Sequence, residues 1–293
     1  MKTWKRAFAL LLALLCLAPL GAAASADAER ARAVVGADLT DEQIASVYEI
    51  FGVARGSVTE MKVTNAEERS YLEGYVDESL IGHYSVSCVY LELLGEGEGM
   101  DVVTNNITWC TPEMYMSALA TAGITDAKLI VSSPFEVSGT AALTGVYKAY
   151  EDITGEKLDD LAKLVSTQEL TITGELAEEI GEMDSTAIVN DLKLVLDETR
   201  NMSDEEIRTQ ITAIAGDYGV KLTDKQLDQL IELCRSLEKL DGDALKARVE
   251  EIQGTLRKVK EAKTKVVGFV QTVKKVVESV RSFFERLGRL FGK

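Results

Sequence analysis

Between Thr108 and Gly145 the chain is committed to a helix, a strand and a second helix with almost no slack between them. No other stretch constrains the fold as tightly. Thr111 is placed to cap the first helix, Pro112 suits its first position, and Gly123 falls just past its end. Lys128 to Ser132 (KLIVS) is short, apolar and partly β-branched, which is strand composition. The small-residue run Ser138 to Ala142 then opens the next helix.

Upstream, Thr40 with Gln43 makes a capping box, and Ile44, Val47 and Phe51 form an apolar stripe that Gly52 ends. Val58 to Thr64 alternates as a strand, and Asn65 with Glu68 marks a further helix start. His83 to Leu94 and Met100 to Trp109 read as antiparallel strands joined by the GEGEG loop at 95–99. From Val58 to Ser132 the order is therefore β-α-β-β-α-β, that of a split βαβ, ferredoxin-like sandwich, with helices at 40–51 and 140–151 added.

Beyond Gly155 helical patterns recur at 156–166, 175–199, 203–217 and 223–239, with Ser203 and Thr223 as caps. Thr167 to Thr173 (TQELTIT) alternates like an additional edge strand. GVKLTDKQLDQLIEL (219–233) echoes GADLTDEQIASVYEI (36–50), the way two capped amphipathic helices begin. A four-three spacing then runs from Leu245, Val249, Ile252 and Leu256 through Val266, Val270, Val273, Val277, Val280, Phe284, Leu287 and Phe291. That is a heptad seam, and Lys274, Lys275, Arg281, Arg286 and Arg289 border it. Such a stripe must bury against the same chain, a second copy (a homo-oligomer), or an anionic membrane or wall-polymer surface. The expected fold class is thus α+β. A ferredoxin-like sandwich (27–155) precedes an all-helical region (156–242) and a long C-terminal amphipathic helix (243–293).

Residues 1–26 form a separate segment. Lys2, Lys5 and Arg6 precede the apolar run Ala7 to Ala18, and small residues follow from Gly21 to Ala26. That is the build of a secretory signal peptide, so the expected location is secreted or extracytoplasmic, at the outer membrane face or the cell wall. The whole chain carries a net charge of −16, although residues 255–293 hold eleven Lys/Arg against three Glu. The body before them is therefore strongly acidic and repels nucleic acid.

Little in the sequence carries chemistry. One histidine, His83, cannot make a zinc site or a triad without partners that the sequence does not place beside it. GEGEG lacks the spacing of a dinucleotide loop. Asp241-Gly242-Asp243 is too short for a calcium loop and reads as a turn and helix cap. No catalytic residue, cofactor or metal is implied, and a non-enzymatic role is expected. The alternatives are a wall-acting hydrolase using two carboxylates, and a small-ligand module using the loop of Phe135, Ser138, Gly139 and Thr140. Past residue 26 three cysteines remain, Cys88, Cys110 and Cys234. On a hairpin ending in the GEGEG loop, Cys110 lies roughly 13 Å along the partner strand from the residue facing Cys88. Buried free thiols are expected, unless a bulge or longer loop brings that pair together.

The wording TAG-x-x-DA and PF-x-VSGTAALTG within 106–151, with ERSYLEG at 68–74, resembles the YpuA-like family of exported Gram-positive proteins, a domain of unknown function. The resemblance spans roughly residues 30–240. It implies an extracytoplasmic protein with no assigned reaction and no catalytic residues to carry over.

Overall fold

A computed structural model of the protein describes residues 29–73 and 81–257. The expected signal peptide at 1–26 and most of the C-terminal seam, including Val266 to Phe291, lie outside the described residues. Clustering of the fold gives one compact unit up to Ile252 and a second from Gln253. The protein is a mixed α+β fold built on a five-stranded sheet.

The first strand, β1 (Ala31–Gly36), was not expected from the sequence. It leads into helix α1 (Asp41–Phe51), whose Thr40–Gln43 capping box forms as the spacing predicts. Strand β2 (Thr59–Val63), helix α2 (Asn65–Leu72), strands β3 (Cys88–Leu93) and β4 (Met100–Ile107), helix α3 (Pro112–Ala122) and strand β5 (Ala127–Val137) follow. The sheet order is β2-β1-β3-β5-β4. β1 and β2 run parallel around α1, β4 and β5 run parallel around α3, and β3 is antiparallel to both β1 and β5.

This order differs from the ferredoxin-like sandwich expected above. β3 and β4 are not a hairpin, because β5 inserts between them. The physical reason lies in the strands themselves. β5 extends over 11 residues and is buried on both faces from Leu129 to Ser133, as an interior strand of a sheet covered on both sides must be. β4 alternates between exposed and half-buried positions and leaves Asp101, Val103 and Asn105 exposed, as suits an edge. The GEGEG loop therefore passes the start of β5, where Asp126 ties it down. Leu94 N donates to the Asp126 carbonyl at 3.0 Å, and Gly99 N to its carboxylate at 2.7 Å.

Both faces of the sheet are covered. On one, Ala31, Ala33, Val35, Tyr90 and Ile130 meet Ile44, Val47, Tyr48 and Phe51 of α1. On the other lies helix α4 (Ala142–Thr154). It approaches so closely at Gly145 that a Cβ there would sit 3.3 Å from Val89 and 3.5 Å from Val34.

Helix α5 (Asp160–Ile180) is continuous through the segment that alternated like an edge strand. Here the sequence expectation fails because the helix is buried almost all round, which hides its period. Its threonines are accommodated by donating back along the helix: Thr167 to Lys163 O at 2.9 Å, Thr171 to Thr167 O at 3.0 Å, and Thr173 to Glu169 O at 2.7 Å. Helices α6 (Glu182–Leu194), α7 (Leu196–Thr199), α8 (Asp204–Asp217) and α9 (Asp224–Leu237) complete the unit, with capping boxes at Ser203 and Thr223 as predicted. The chain is helical again from residue 242, and Asp241 accepts from Ala244 N at 3.1 Å as a cap. Leu245 and Val249, the first positions of the expected seam, are buried in the core that these helices share.

One polar cluster ties the α/β layer to the helices. Lys193 Nζ donates to Glu169 Oε1 at 2.6 Å and to the Ser117 carbonyl and hydroxyl at 3.0 Å each. Thr121 donates to Glu169 Oε2 at 2.5 Å. The Lys193 and Glu169 side chains are 0% and 1% exposed, and such a pair persists because the ammonium and both carboxylate oxygens find partners. Burial of Lys193 holds its ammonium below the usual lysine range, and Glu169 pulls it back up.

Candidate functional site

The bulge that ends β4 sets up the site. The β4–β5 register shifts between Asn105 and Ile107, and Asn106 takes φ 57° while its side-chain amide donates to Ser133 O at 2.8 Å. Bulges of this kind re-aim the residues that follow. Thr108 N then donates to Val137 O at 2.9 Å and Cys110 N to Ser138 O at 3.1 Å, so Thr108–Cys110 and Val137–Ser138 are held side by side.

Gly139 makes the turn between them. At φ 94° it lies in the left-handed region, and a Cβ there would fall 2.5 Å from Ile107 and 2.6 Å from the Tyr115 hydroxyl. The Tyr115 hydroxyl instead donates to its carbonyl at 2.6 Å. Helix α4 begins only at Ala142, with no side-chain cap, so the Ser138-Gly139-Thr140 run shapes a turn rather than the first turn of the helix.

Around this turn opens a cleft of about 690 Å³. Phe135, Ser138 and Thr140, three of the four residues singled out in the sequence, line it, Phe135 from the end of β5 and not from the loop expected. The other wall is the segment 81–87, which brings His83 and Tyr84 to the cleft; the strand expected from His83 begins only at Cys88. Trp109 forms part of the lining beside Thr108. Tyr84 is 71% exposed and Phe135 45%, among the most exposed large apolar side chains described.

Trp109 is fixed. Its indole N–H donates to Glu178 Oε1 at 2.7 Å, and its six-membered ring lies where a Cβ on Gly174 would come within 2.3 Å. A glycine in the middle of α5 costs about 1 kcal/mol relative to alanine, and the close approach of the indole accounts for it.

The wall 81–87 is pinned through Ser85. Its N–H donates to Asp38 Oδ2 at 2.7 Å and its carbonyl accepts from Asp38 N at 3.2 Å. Its carbonyl would also lie 2.2 Å from a Cβ on Gly36, so the segment sits directly on the end of β1. The Ser85 hydroxyl lies 2.7 Å from Val63 O and 2.5 Å from Glu68 Oε1. One hydroxyl proton cannot serve two acceptors. A protonated Glu68 removes the conflict by donating to Ser85 Oγ while Ser85 donates to Val63 O. Burial pushes the Glu68 carboxyl up to about 7, with Asp38 and Glu67 adding to the rise and Ser85 and Asn65 opposing it.

Among the described residues, Asp38 and Glu136 are the carboxylates of the lining, and no Lys or Arg is part of it. Among the described residues no group of three His, Cys, Asp or Glu side chains is placed to hold a metal ion, and no helix is long and apolar enough to cross a membrane. Cys88, Cys110 and Cys234 are free and buried, which agrees with the expectation from the sequence; burial pushes their thiols up to about 12, 12 and 11. Sequence reasoning missed Tyr84, Trp109 and Asp38 as cleft residues. The nearest signal was the TWC wording after an alternating strand, which has no meaning until the β4 bulge is known.

No solved structure matches the chain. The uncharacterized protein YpuA of Bacillus subtilis (strain 168) is 36% identical over 253 residues, covering 85% of this chain and 84% of its own. Residues 35–259 match the model of a family described as protein of unknown function, DUF1002. That match takes in β2 to β5, the end of β1, the cleft and the helical layer, and the chain belongs to the DUF1002 family.

Proposed function

We propose that the protein is an exported, non-enzymatic binding protein whose α/β layer holds a small ligand in the cleft between segment 81–87 and the end of β5 with the Ser138–Thr140 turn. One observation carries the reading. Tyr84 and Phe135 leave large apolar surface in water at the mouth of a cleft of about 690 Å³, beside a Trp109 locked from behind. Packing does not need those two rings there, and convergent aromatic and hydroxyl groups in a concave site are what small-ligand recognition uses. Residues 1–26 support export through their basic, apolar and small-residue order.

The basic stretch 255–293 supports a second role, attachment to an anionic surface. Co-sedimentation of the full chain with anionic vesicles, lost on truncation after residue 257, is the expected result. Equal sedimentation of both would remove that role.

The cleft is tested by screening a library of small aromatic and polar fragments by saturation-transfer NMR. The wild type and a Tyr84→Ala/Phe135→Ala variant are compared. Most hits should disappear in the variant; identical hit lists would place binding elsewhere and sink the proposal.

A further inference from the structure

Resting on that reading of the cleft, we propose that its ligand is a small organic cation of the quaternary-ammonium or alkylated-amine class. Tyr84, Trp109 and Phe135 would hold it by their ring faces, with Asp38 and Glu136 as counter-charges. Two observations converge on this class.

Charge comes first. Among the described residues the lining carries two carboxylates and neither Lys nor Arg, so an anion such as a phosphate would enter an uncompensated negative field. The chain's net charge of −16 acts in the same direction at longer range.

The second observation is the set of rings. Aromatic faces attract cations through their quadrupole, and indole does so most strongly. Trp109 is prepared for this. Its N–H is committed to Glu178, whose carboxylate adds electron density to the ring, and its far side rests on the Gly174 backbone. The indole therefore needs no reordering when a ligand arrives, which lowers the cost of binding.

The test is calorimetric titration of the full chain at pH 8 and constant ionic strength with choline chloride. Its uncharged isostere 3,3-dimethylbutan-1-ol, of the same shape, serves as the comparison. Choline should bind roughly tenfold tighter or more. Glu136→Gln, an exposed position where folding is not at stake, and Tyr84→Ala should each weaken choline several-fold and leave the isostere less affected. Asp38→Asn keeps an acceptor for the Ser85 N–H and should act in the same way.

Equal affinity for the two compounds would overturn the cationic class and leave the cleft as a binding site. No binding of choline, with fragments still lost in the Tyr84→Ala/Phe135→Ala variant, would do the same. Failure of both experiments would remove the cleft reading itself.

Discussion

Replacing Glu68 by glutamine should make the protein more stable above neutral pH, although it removes a buried charge-bearing group. Glu68 is 1% exposed, and its carboxyl is raised from 4.5 to about 7, chiefly by burial. A carboxyl raised on folding favours the native state only while protonated. The stability it permits is complete below about pH 4.5 and is lost as pH rises through about 7. The shift corresponds to about 3 kcal/mol, most of it lost between pH 5 and 8.

Glutamine presents an N–H to Ser85 Oγ at every pH, so Ser85 can donate to Val63 O throughout. The assay is urea unfolding of wild type and Glu68→Gln at intervals from pH 4.5 to 8.5, with linear extrapolation to water. The two curves should nearly meet at the acid end, and the variant should be about 3 kcal/mol more stable at the alkaline end. A variant that runs parallel to the wild type, or is less stable at pH 8, would refute the protonated Glu68–Ser85–Val63 arrangement.

The buried cluster at the junction of α3, α5 and α6 gives a second expectation. Lys193→Met leaves Glu169 charged and buried without its cation, and should cost about 3 to 5 kcal/mol. Adding Glu169→Leu should recover most of that loss, as thermal unfolding of both variants will show. Gly174→Ala places a methyl 2.3 Å from the Trp109 ring, so it should displace the indole, shift its fluorescence and abolish fragment binding with little loss of helix content by circular dichroism. Because burial pushes their thiols up to about 12, 12 and 11, Cys88, Cys110 and Cys234 should resist a disulfide reagent at pH 8 in the native protein and react fully in denaturant.

Where local chemistry decides, the sequence is readable. Thr40, Thr111, Ser203 and Thr223 cap the helices that their spacing predicts, because each cap is a contact within four residues. Strand order is not local. β1 is six residues long, has Arg32 at its second position and follows Glu29 and Arg30, so nothing in ARAVVG announces the strand that bridges β2 and β3. Without it, β3 and β4 look like partners across a glycine-rich loop. α5 was misread for the opposite reason: a helix buried on every side loses the polar stripe that marks its period.

The cleft divides in the same way. Phe135, Ser138 and Thr140 stand out in the sequence because they precede a helix after a strand. Tyr84, Trp109 and Asp38 join them only through the bulge at Asn106 and the anchor at Ser85.

The central claim, that this cleft is the binding site, is tested most directly by the indole ¹H–¹⁵N resonance of Trp109 in the full chain. It should be followed during titration with the fragment that binds best. Its N–H is held by Glu178 at 2.7 Å and its ring lines the cleft, so occupancy should move the signal progressively and saturate it at the fragment's own dissociation constant. A Trp109 resonance that stays in place while the fragment saturates the protein would contradict the account.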